Sequence, residues 1–183
     1  MTCFILLALV ILYISHQARS FKEDAIFEYE DIYNKALPPL PEGHNGLTYP
    51  GTKWCGPGDN AVNYEALGTE VEADKCCRDH DHCEEILEGL KTLHGLSNSG
   101  FFPILECTCE QKFLNCLQKA NTTTSIRIGR AYFWATHLCI KDEYPIIECT
   151  LHQKRTIQKR CIRYKLDSTK KKTWQFFDLP FFT

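Results

Sequence analysis

Apolar positions recur at helical spacing in three stretches of the chain and at strand spacing toward its C-terminus. Thr69 followed by Glu72 is a capping-box pattern, and Glu70 to Leu87 is dense in residues that tolerate a helix, with a stop at Gly89. Leu105, Cys109, Phe113 and Cys116 follow one another at steps of 4, 4 and 3, one face of a second helix that ends before Asn121. Ile128, Ala131, Ala135 and Leu138 mark a third helix in the same way. Further on, Ile162, Tyr164 and Leu166 alternate with Arg163 and Lys165, and Trp174 to Leu179 is β-prone across a turn at Asp167 to Lys172. The pattern predicts a mainly α fold with a small β-hairpin.

Composition adds a compartment and a division of the chain. The length of 183 residues suits one ordinary domain, or a smaller one with processing segments, and 44% hydrophobic against 24% charged residues is globular. A formal charge of −2 gives no reason to expect nucleic acid as a partner. Eleven cysteines are too many for a reducing compartment unless they bind metal. The apolar run Phe4 to Ile14 has the length of a signal-peptide core and is too short for a bilayer of ~30 Å. Ala18 and Ser20 suit cleavage after Ser20, although no Lys or Arg precedes the run, and the competing reading is an N-terminal anchor. A signal peptide over 1–20 removes Cys3 and leaves ten cysteines, enough for five bridges, in a product expected to be secreted and extracellular. Residues 21–46 carry six acids and two bases and no cysteine, as a propeptide or an acidic tail would. The remaining domain, 47–183, is electrically split: 9 bases and 15 acids over 47–149, 9 bases and 2 acids over 150–183.

The chemistry concentrates in Cys76-Cys77-Arg78-Asp79-His80-Asp81-His82-Cys83. On a helix, Cys76 and Cys83 lie one turn to either side of His80, and Asp81 sits about 100° round from it. A lone histidine on a helix is most often structural. Here a carboxylate adjoins it, and upstream runs the loop Tyr49-Pro50-Gly51-Thr52-Lys53-Trp54-Cys55-Gly56-Pro57-Gly58-Asp59-Asn60. Its glycines allow tight turns that aim backbone carbonyls inward, suited with Asp81 to a hard cation such as calcium. Most Gly-rich loops are only turns. A closed zinc site fits worse, since Cys76-Cys77 and Cys107-x-Cys109 lack the usual ligand spacing.

The run YPGTKWCGPG, then CCRDHDHC, then Cys107, Cys109 and Cys116, with KFLNCL at 112–117, Ala131-Tyr132-Phe133 and a late WQFFDL, closely resembles the secreted phospholipases A2 of group III, the bee-venom type, over about residues 47–179. The resemblance implies a disulfide-rich fold with two bridged antiparallel helices and bridges 55–77, 76–116, 83–109, 107–139 and 149–161. It also implies a monomer that acts at phospholipid membrane or micelle surfaces. It casts His80 as general base toward the sn-2 ester of a glycerophospholipid, and Asp81 with the carbonyls of Trp54, Gly56 and Gly58 as a calcium site. Tyr132 matches the tyrosine supporting the histidine's carboxylate partner. There the chain departs, because the family's C-x-C-D reads C-x-C-E, with Glu110 after Cys109. A partner carboxylate is expected to accept from Nδ1 and leave Nε2 free, and a longer arm has to fold back to do so. The alternative is a binding module of the same scaffold with little turnover. Asn121-Thr122-Thr123 is an N-glycosylation sequon, and the bases from Lys154 to Lys172 could attract anionic lipid or be merely solvated.

Overall fold

The computed structural model describes residues 47–155 and 158–183. The expected signal peptide and acidic segment lie outside the described residues. Helix α1 spans Val71–Asp81, α2 spans Cys107–Ala120 and α3 spans Thr123–Ala135. Four antiparallel two-stranded pairs accompany them: β1 (Ile86–Leu87) with β4 (Ile104–Leu105), β2 (Thr92–Leu93) with β3 (Leu96–Ser97), β5 (Leu138–Glu143) with β8 (Thr173–Asp178), and β6 (Ile146–Arg155) with β7 (Gln158–Leu166). Strand therefore matches helix in extent, and the mainly α expectation is corrected to a mixed fold.

Each boundary that moved has a tertiary cause. α1 stops at Asp81, short of the expected Leu87, because Cys83 is bridged to Cys109 and Ile86 and Leu87 pair with Leu105 and Ile104. Its capping box is not formed: the cap is Glu70 without a side-chain bond, and the Thr69 hydroxyl turns to the Gly51 carbonyl at 3.5 Å. Glu106 caps α2 instead, accepting from the amides of Thr108 and Cys109. Asn121 closes that helix in the left-handed region at φ 47°, and Thr122 with Ser125 makes a reciprocal capping box for α3. α3 ends at Ala135, so Leu138 belongs to β5 rather than to its apolar face.

The expected hairpin is also re-paired. β7 lies against β6 and β8 against β5, so the run from Ile162 meets the 146–155 segment, whose pairing the sequence pattern does not announce. β7 and β8 touch through side chains: Tyr164 packs edge-on against Phe177 at 5.0 Å and its hydroxyl accepts from the Asp178 amide, while Asp178 Oδ2 accepts from the Cys161 amide.

Five disulfides join Cys55 to Cys77, Cys76 to Cys116, Cys83 to Cys109, Cys107 to Cys139 and Cys149 to Cys161. The second and third link α1 and its exit to α2 with reversed residue order, which requires the helices to run antiparallel. Around these bridges a core forms from Trp54, Phe113, Leu114, Leu117, Phe133, Leu179 and Phe182. The C-terminal segment is held by Arg160, whose buried guanidinium donates to the carbonyls of Phe133 (2.6 Å), Trp134 (3.2 Å) and Leu179 (3.2 Å) and lies over the Phe181 ring.

Candidate active site

α1 carries His80 on its buried face, together with Ala73, Asp74, Cys76 and Cys77. The two flanking bridges, Cys76–Cys116 and Cys83–Cys109, fix the helix on α2 above and below this residue. From α2, Phe113 stacks on the imidazole with ring centres 4.2 Å apart. From α3, Tyr132 meets it edge-on at 5.2 Å. Packing on two sides leaves the ring little rotational freedom, which is what a positioned proton acceptor needs.

Glu110, one turn before Phe113's neighbour Leu114 on α2, is fully buried. Its Oε1 accepts from the Tyr132 hydroxyl at 2.6 Å, and its Oε2 faces His80 Nε2 at 3.4 Å. The Tyr132 hydroxyl also lies 3.3 Å from that nitrogen. Oε2 is the one buried side-chain polar atom among the described residues without a hydrogen-bond partner. The longer arm of glutamate thus does fold to the histidine. The ring nitrogen differs from the expectation: Nε2, not Nδ1, faces the carboxylate. Burial above all, and then the charge and hydrogen bond of Glu110, hold the Tyr132 hydroxyl well above its ordinary range, so it stays protonated and donates.

The loop before α1 is organised by a residue that the spacing arguments did not single out. Asp74 is fully buried, and its carboxylate accepts from the amides of Lys53 (2.9 and 3.0 Å), Trp54 (2.8 Å) and Gly68 (2.7 Å). Its sequence signal is position: it lies three residues before Cys77, which the bridge to Cys55 ties to the same loop. Trp54 is buried, with its indole N–H on the Ala66 carbonyl at 2.8 Å. At Gly56 a Cβ would strike the Leu47 carbonyl, and Gly58 has φ +77° with open space beside it, so both glycines answer a backbone requirement.

Asp81 follows His80 at the solvent edge of α1. Protein packed around it nonetheless raises its carboxyl to about 6, with Asp59 of the loop pushing the same way and His80 opposing. Among the described residues no three His, Cys, Asp or Glu side chains converge as a metal cage. Any cation here would draw on backbone carbonyls. The donor set fits a hard divalent ion: a carboxylate that is costly to ionise beside a second acid, next to a loop whose Lys53 and Trp54 amides are already taken by Asp74. The sequon residue Asn121 stands exposed at the turn between α2 and α3.

This geometry coincides with a known lineage. A family model described as phospholipase A2 matches residues 48–143, the span that holds the loop, His80, Asp81, Glu110 and Tyr132. The chain is 37% identical over 135 residues to a phospholipase A2 of Bombus pensylvanicus, covering 73% of this chain and 98% of that protein. A phospholipase A2 of Apis dorsata is 38% identical over the same shares. The chain belongs to the group III phospholipases A2. The phospholipase A2 phaiodactylipin of Anuroctonus phaiodactylus is 47% identical over 105 residues, which is 52% of this chain and 66% of that one. The chain is thus an enzyme of the phospholipase A2 class, which hydrolyses the sn-2 ester of glycerophospholipids to a fatty acid and a lysophospholipid.

Proposed function

We propose that this phospholipase A2 works by general-base catalysis at His80 with calcium as cofactor. The observation that carries the reading is the buried cluster of Glu110, Tyr132 and His80, in which a carboxylate faces Nε2 at 3.4 Å. Held this way, the imidazole presents Nδ1 to a water molecule and takes its proton as the water attacks the sn-2 carbonyl. Positive charge then develops on the ring. Glu110 stabilises it, and Tyr132, by donating to the other oxygen of Glu110, keeps that carboxylate from swinging away. When the water has added, the same Nδ1 proton passes to the departing glycerol oxygen, so the base is restored. Calcium, held by Asp81 and the carbonyls of Trp54, Gly56 and Gly58, would polarise the ester carbonyl and offset charge on its oxygen. A binding module without turnover would need no such histidine, so the Glu110 substitution is read as a conservative change of arm length.

Five disulfides suit the oxidising space of a secreted protein, and Asn121 is exposed enough to carry a glycan. The substrate surface is a phospholipid membrane or micelle. The test is release of label from vesicles of sn-2-labelled phosphatidylcholine, in calcium and in excess chelator. Release in calcium that stops in chelator is expected; full release in chelator contradicts the calcium site.

A further inference from the structure

The β6–β7 ribbon lies beyond the span matched by the family model. Along β7, Arg160 and Tyr164 turn toward the body, Arg160 to the carbonyls of Phe133 and Leu179 and Tyr164 to Phe177. Lys159, Arg163 and Lys165, exposed neighbours of these inward residues, therefore face outward. Directly opposed residues of an antiparallel pair share a face, which adds Lys154 opposite Lys159 and Glu148 opposite Lys165, while the register shifts on either side of Leu151, the partner of Arg163. Glu148 is engaged by Lys165 at 3.5 Å. No ion pair among the described residues holds Lys154, Lys159 or Arg163.

Elsewhere in the C-terminal section Lys170 is matched by Asp167 and Lys172 by Glu143, while no ion pair among the described residues holds Arg155 or Lys171. The ribbon is thus an outward stripe of unmatched positive charge, with two lysines set directly opposite each other in a pairing that destabilises a sheet unless an anion covers it. The rest of the domain, with 15 acids to 9 bases over 47–149, repels the same anion, so attraction is confined to this end of the chain. Leu151, whose backbone pairs with Arg163, is 41% exposed on the ribbon. Aliphatic side chains among bases gain free energy at the boundary of headgroups and acyl chains and gain little on a sulfated sugar.

We propose that the outer face of the β6–β7 ribbon, through Lys154, Lys159 and Arg163 with Leu151 beside them, docks on anionic phospholipid headgroups. The inference rests on the phospholipase reading, which supplies a lipid surface as the partner. Docking here is transmitted rigidly, because Arg160 on the same strand fastens the ribbon to the Phe133 and Trp134 carbonyls, next to Tyr132 on α3.

The experiment measures partition of the protein, in chelator to prevent turnover, onto phosphatidylcholine vesicles with and without phosphatidylglycerol. The wild type is expected to prefer the anionic vesicles, and more weakly as salt is raised. In the triple variant Lys154→Gln, Lys159→Gln, Arg163→Gln that preference should fall by up to ~100-fold, since each base near such a surface is worth about 1 kcal/mol and 1.4 kcal/mol is tenfold. Lys170→Gln, which removes a matched base, should leave it nearly intact. Equal partition of the triple variant and the wild type would overturn the proposal, as would binding to heparin oligosaccharide with indifference to phosphatidylglycerol. Hydrolysis of a short-chain phosphatidylcholine below its micelle concentration is read alongside and should be the same for both proteins. If neither hydrolysed it, the phospholipase reading would fail on its own evidence, separately from the partition.

Discussion

Glu110 sits fully buried between Tyr132 and His80, with Oε1 taken by the tyrosine and Oε2 left to the imidazole. A buried carboxylate placed so is stabilised most by positive charge on the ring opposite, such as the charge that develops as the proton is transferred. Glu110→Gln keeps the shape and the bond from Tyr132 but removes the charge, so kcat should fall by roughly 10- to 100-fold, as for a misplaced catalytic group, with KM little changed. Steady-state kinetics on dispersed substrate reads this. Asp81 supplies a second test at this scale. Its carboxyl, raised to about 6 chiefly by burial, must lose its proton before it can hold a cation, so calcium affinity should rise as pH increases through 6 and level off above it. Calcium titrations by calorimetry at about pH 5 and about pH 8, on either side of that midpoint, would contradict the assignment if the affinities were equal. His80, Asp81 and the flanking cysteines were legible in the sequence because their relation is set by one helix. Which ring nitrogen meets Glu110 was not, because it depends on how a second helix sets the carboxylate against the ring.

At the scale of elements, the loop and α1 act as one piece because Asp74 binds the amides of Lys53, Trp54 and Gly68 and the Cys55–Cys77 bridge lies one turn away. Asp74→Asn sets an amide donor against those N–H groups. The expected loss is about 2–3 kcal/mol of stability, the scale of a hydrogen bond to a charged group, together with weaker calcium binding. Thermal unfolding with and without calcium measures both. α3 offers a different test, for its Gly129 lies against the Phe182 ring so closely that an added Cβ would overlap it. Gly129→Ala should cost about 1–3 kcal/mol by overpacking, and a variant as stable as wild type would mean the C-terminal segment seats elsewhere. Helices α2 and α3 were readable from periodicity, except that Leu105 and Leu138, read onto their faces, belong to β4 and β5. The strand pairing was not, because β6 has no clean alternation and its register against β7 shifts on either side of Leu151, although the two strands follow each other in the chain with Arg155 opposite Gln158.

For the whole molecule, small local elements are made rigid by covalent links: four of the eight strands have only two residues, yet five disulfides span the described chain. The cysteine count was in the sequence, and the resemblance to a family supplied the pairing that count alone left open. What these links hold in place is a histidine between two bridged helices, beside a glycine loop tied down by Asp74. The most direct measurement is the initial rate of sn-2 fatty acid release by His80→Gln against wild type, with calcium binding recorded for both proteins. The account predicts that the variant binds calcium like the wild type and releases no fatty acid above background. A variant that binds calcium and still hydrolyses the ester at the wild-type rate would contradict it.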